Sequence, residues 1–137
     1  MPPTTSQTVT ERIEALYGQP LDTLIAHAEA TVGDSMLAAL LGSLANLAFA
    51  ERNIEFQLDR LRQFTEPGRE IGRSDAGHIL DCARRITESV AVRDAHAKSV
   101  SAVLASLRRL PARDTKAPAA SPPQVPASAT PATARTR

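Results

Sequence analysis

Apolar residues recur every three or four positions along two long stretches of the chain. In the first they are Leu37, Leu40, Leu44, Leu47, Ile54, Leu58 and Leu61, with Glu51 standing between Leu47 and Ile54. In the second they are Ile79, Ala83, Ile86, Val90, Ala97, Val100, Leu104 and Leu107, with Arg93 between Val90 and Ala97. A 3.6-residue period puts each set on one face of an α-helix. The spacing predicts two long helices, at about residues 35–65 and 74–110, each about 45–55 Å long.

Glu66, Pro67, Gly68 and Gly72 separate the two stretches. Pro67 disfavours helix at the preceding residue, and Gly68 permits a left-handed turn. The long helices are therefore expected to fold back as an antiparallel hairpin about a turn centred near residue 70. That register sets Leu61 near Ile79, Leu58 near Ala83, Ile54 near Ile86, Leu44 near Ala97 and Leu37 near Leu104. It also brings Glu51 beside Arg93. Burying either charge alone is costly and pairing offsets much of that, so a partly buried Glu51–Arg93 ion pair is predicted.

Two shorter patterns come first. Thr8 with Glu11 fits a capping box, and Val9, Ile13, Leu16 and Tyr17 follow up to Gly18, a left-handed cap. Pro20 suits the first turn of a second helix carrying Leu21, Leu24, Ile25, Ala28 and Val32, which Gly33 ends or bends. Asp34 or Ser35 can cap the first long helix. That helix carries a second apolar strip: Ala38, Leu41, Ala45, Ala48, Phe49 and Phe56. The short helices are expected to cover the part from Leu41 to Phe49. Phe56 and Phe64 lie beyond their reach, and a second copy of the chain is the expected cover. Leu41, Ala45, Phe49, Phe56 and Phe64 are thus the candidate oligomer interface.

The predicted fold is an all-α antiparallel helical bundle over residues 8–110, built on the helical hairpin with two short N-terminal helices. Residues 1–7 are polar and expected to fray. From residue 111 the chain turns to Ala, Pro, Ser and Thr, with Pro118, Pro122, Pro123, Pro126 and Pro131 barring a continuous helix. A disordered C-terminal tail is expected there, acting as tether or spacer.

The chain has 137 residues, enough for one domain, with no Trp, one Tyr and three Phe. Its core must be aliphatic. A formal net charge of +1 gives no global field for nucleic acid or acidic lipid. The charge is unevenly spread: residues 1–50 hold Arg12 against Glu11, Glu14, Asp22, Glu29 and Asp34, and the second half is mildly basic. Such a dipole suits head-to-tail association. Cys82 is the only cysteine, so no internal disulfide forms and a reducing compartment is expected. The start, MPPTTSQTVTERIEA, has neither the basic nor the apolar part of a signal peptide, and the longest apolar run, Met36–Leu41, is far short of a membrane span. A cytoplasmic location is expected. The excess of Arg over Lys and the abundant Ala fit a bacterial source rich in GC.

Candidate chemistry is sparse. Asp75, His78 and Cys82 share one helical face but are at most half of a zinc site, so no metal or cofactor is expected. No Glu-x-x-His motif supports a di-iron centre, and Glu51 with Glu55 reads as part of a solvated face. Neither a phosphate loop nor a nucleophile–base set is present, and no enzyme activity is expected. Ile25–Ala39 has the outline of a helix-turn-helix, but Ser35–Gly42 offers nothing to read base edges. Arg84 and Arg85, with Arg108, Arg109 and Arg113, are candidate phosphate contacts, though carboxylates interleave with the first pair. In length and shape the chain is similar to helical hairpins of the WXG type. It departs from them at the turn, where Glu66–Arg73 contain no Trp-x-Gly, and only the architecture carries over. The expected function is a non-enzymatic coiled-coil-like module for protein–protein interaction. Its partner is expected to be itself, as a homodimer, or another helical protein. A nucleic-acid-associated accessory or regulatory role is the alternative.

Overall fold

A computed structural model of the chain describes residues 3–31, 33 and 35–107. It contains α1 (Ser6–Tyr17), α2 (Leu21–Ala30), α3 (Met36–Phe64) and α4 (Arg73–Ser106), and no strand among the described residues. The fold is all-α. α3 and α4 form an antiparallel pair of 29 and 34 residues, and the two short helices pack at its open end. No described helix is long and apolar enough to cross a membrane. The expected tail from residue 111 lies outside the described residues.

Local chemistry explains each boundary. α1 starts one turn earlier than the Thr8–Glu11 pattern suggests. Thr5 is its cap: the Thr5 hydroxyl accepts from the Thr8 amide at 3.3 Å, and the Thr8 hydroxyl accepts from the Thr5 amide at 3.0 Å. Ser6 and Gln7, expected to fray, are therefore helical. Gly18 ends α1 at φ 68°, its amide bonded to the Glu14 carbonyl at 2.7 Å. Pro20 has no side-chain acceptor for α2, and Glu14 supplies one by accepting from the Leu21 amide at 2.7 Å. α2 stops at Ala30, before Gly33, where Thr31 bonds back to the His27 carbonyl. The Ser35 hydroxyl caps α3 through the Ala38 amide at 3.1 Å. At the other end of the hairpin the Asp75 carboxylate accepts from the Gly72 amide at 3.1 Å, at the start of α4.

The core lies at the open end. Leu37, Leu40, Leu44 and Leu47 of α3 meet Val100 and Leu104 of α4, and Val9 and Ile13 of α1 with Leu24 of α2 close the cluster. Val9, Ile13 and Leu47 are wholly inaccessible to solvent. Beyond Leu47 the character changes. The buried positions become Ala50, Gln57, Cys82 and Ser89, while Ile54, Leu58, Leu61, Ile79, Ile86 and Val90 are half-buried and Ala83 is exposed. The Asn53 side-chain amide donates to the Ser89 hydroxyl at 2.6 Å, and the Phe64 ring stacks on His78 at 5.2 Å. The predicted register places Glu51 opposite Ser89 and Arg62 opposite His78, so the helices are offset by about two residues from it. Polar and aromatic pairs mark the alignment there.

Burial therefore falls from the open end toward the turn. Leu47→Ala removes a fully enclosed side chain and is expected to cost about 2–5 kcal/mol in urea unfolding. Leu58→Ala, at a half-buried site, is expected to cost clearly less. Equal losses would contradict this gradient.

Candidate docking surface

The front of α3, which bears Leu40, Leu44, Leu47, Ile54 and Leu61, is occupied by the seam with α4. At 100° per residue, Ala38, Ala45, Phe49, Arg52 and Phe56 point to the back, and Leu41 and Ala48 lie on the flank beside them. Phe49 is 65% exposed and Phe56 57%. Beside the N-terminal part of this strip runs a groove of about 740 Å³. Leu41, Ala45 and Ala48 form one wall, and Leu21, Ile25 and Ala28 of α2 form another. The charged residues on its lining, Glu11 and Glu29, are both acidic.

The expectation that the short helices cover Leu41–Phe49 holds only in part: Leu41 and Ala48 are half-buried beside α1 and α2. α1 packs against both α3 and α4, because Val9 and Ile13 bury completely at their junction. That anchors the short helices to one flank of α3, and Ala45 and Phe49 stay exposed. Phe64 is set apart from the strip. Its ring is stacked on His78, with the Arg69 guanidinium 5.3 Å and the Arg60 guanidinium 6.0 Å from its centroid. Arg60 also lies 5.8 Å from the Phe56 centroid. Leu41, Ala45, Phe49 and Phe56 are brought together on one face, and Phe64 is not among them.

The predicted Glu51–Arg93 ion pair is replaced by two separate arrangements. The Glu51 carboxylate accepts from the Ser6 amide at 2.9 Å and from the Ser6 hydroxyl, at the first turn of α1. An anion there satisfies a free N–H and meets the positive end of the helix. Arg93 instead holds the neighbouring Asp94 at 2.8 Å. The cause is α1 reaching Glu51, whose carboxylate is taken up by the Ser6 amide and hydroxyl. No sequence rule finds this contact, since its partners are 45 residues apart and one of them is a backbone amide.

The other candidates are held within the chain. Asp75 is bonded to Gly72 and Arg69, which hold its carboxyl below the ordinary value. His78 carries the Phe64 stack, and Cys82 is a buried free thiol. Among the described residues, no group of three or more His, Cys, Asp or Glu side chains is placed to hold a metal ion. Arg85 is paired with Asp81 at 2.9 Å and lowers that carboxyl's pKa. Arg84 is exposed, and Arg108, Arg109 and Arg113 lie outside the described residues. No family model matches the chain, and neither does any curated protein or solved structure.

The reassignment of Glu51 is testable by urea unfolding. Glu51→Ala is expected to cost about 1–2 kcal/mol by freeing the start of α1, and Arg93→Ala under about 0.5 kcal/mol. The double variant should show the sum of the two losses. A coupling above about 0.5 kcal/mol would restore the ion pair.

Proposed function

We propose that this chain is a non-enzymatic helical assembly module that associates with copies of itself through α3. The observation carrying this reading is the exposure of Phe49 and Phe56 on the face of α3 that turns away from the core. In an aliphatic core with only three Phe in the whole chain, two of them stand in solvent. Covering one such ring removes on the order of 100 Å² of apolar surface, or about 2–3 kcal/mol. Isolated exposed apolar residues are ordinary; a strip continuous with an apolar groove marks an interaction site. A cytoplasmic setting belongs to the same reading, in keeping with the buried, unpaired Cys82. Phosphate binding by Arg84, Arg85 and the Arg108, Arg109 and Arg113 group has less support, because Arg85 is already engaged by Asp81.

Size-exclusion chromatography with light scattering tests the proposal. Twice the chain mass is expected at tens of micromolar. Phe49→Glu with Phe56→Glu is expected to give a monomer with unchanged helical circular dichroism, since both rings lie outside the core. A wild-type protein that stays monomeric at several hundred micromolar would remove the proposal.

A further inference from the structure

We infer that two copies pair with their α3 helices antiparallel about a two-fold axis, Phe56 of each seated in the other's groove. The inference rests on the self-association reading and adds its geometry. Groove and plug are consecutive on one face of one helix. Leu41, Ala45 and Ala48 line the groove, and Phe49, Arg52 and Phe56 follow on the same side. A two-fold axis at the level of Ala50 and Glu51 exchanges these halves. It sets Phe56 opposite Ala45, Arg52 opposite Phe49 and Arg60 opposite Leu41. Large side chains then meet small ones, as interdigitated packing requires. The pairing is isologous and closed, so it ends at a dimer.

Charge selects a second copy as the occupant. The groove's lining bears Glu11 and Glu29 and no basic residue. The plug carries Arg52 between its two rings, and among the described residues Arg52 makes no ion pair. Ser6 of α1 sits at Glu51, and Tyr17 shares a surface with Leu37, so α1 runs antiparallel to α3 and Glu11 lies alongside Ala45 and Ala48. The partner's Arg52 thus arrives over Phe49 and within reach of Glu11, giving a cation–π contact and a charge pair together. The strip from Ala38 to Phe56 is about 27 Å long and one helix wide, about 300 Å². A stable interface takes about 800 Å² from each partner. The groove walls on α1 and α2 must therefore take part, which requires the partner helix to lie in the groove.

Sedimentation velocity over a concentration series tests the geometry, with circular dichroism as the folding control. Arg52→Glu and Glu11→Arg are each expected to weaken dimerisation about tenfold, and the double reversal to restore most of it. Phe56→Ala is expected to weaken it about a hundredfold. Ala45→Arg, at an exposed position, is expected to block the groove and give a monomer. A dimer that tolerates Ala45→Arg, or single reversals that the double variant does not rescue, would overturn this arrangement and leave self-association standing. A monomeric wild type would overturn both.

Discussion

The seating of Val9 and Ile13 against α3 and α4 at the open end of the hairpin is the constraint on which the rest of the molecule depends. Both side chains are wholly enclosed. Two helices alone bury one stripe each and leave their flanks wet, and helical stability comes mainly from such tertiary burial. α1 adds the third side that encloses Leu44, Leu47 and Val100. Its position also decides what is left open. With α1 committed to this junction and α2 tied to it through Glu14, neither short helix reaches across the back of α3. The bare strip is a consequence of where the core is closed.

Carboxylates hold this arrangement at its weak points. Glu14 meets the first amide of α2 and Glu51 the first amide of α1. Each answers an N–H group that no intrahelical partner can satisfy. Glu51 interrupts the apolar stripe of α3 because it serves α1, not α4. The outer half of the hairpin uses a different device. There Asn53, Gln57 and Ser89 sit in or beside the seam, and the Gln57 amide reaches Asn53 at 3.5 Å. Side-chain hydrogen bonds tie one register more narrowly than aliphatic contacts do, at some cost in burial.

Much of the fold was legible in the sequence. The 3–4 spacing marked both long helices, Gly18 and Ser35 marked real ends, and Pro67 with Gly68 marked the turn. The register was legible only to within about two residues, since Ile, Leu and Val pairs are nearly interchangeable under so small a shift. What marks it is Asn53 against Ser89 and Phe64 against His78, and none of these belongs to the apolar stripes. The start of α1 was missed because a Thr–Thr box is weaker in sequence than Thr–Glu, and because Glu51 is distant along the chain. At the candidate surface, the strip on α3 was readable from periodicity. The groove beside it was not, because its second wall depends on where α2 docks.

α3 therefore carries two opposed faces with different compositions. The front is aliphatic and finished: Leu40, Leu44 and Leu47 are enclosed by α1 and α4. The back mixes Ala with Phe and Arg. Aromatic residues and Arg are the types that concentrate at the buried centres of protein interfaces. Had this face evolved only to meet water, Glu or Lys in place of Phe49 and Phe56 would keep the helix and improve solubility. The core gains nothing from rings that are more than half exposed. On the proposed reading, such rings on a helix whose other face already completes the fold are there to meet a partner, and the opposition of Arg52 to an acidic groove on the same helix is what favours a second copy.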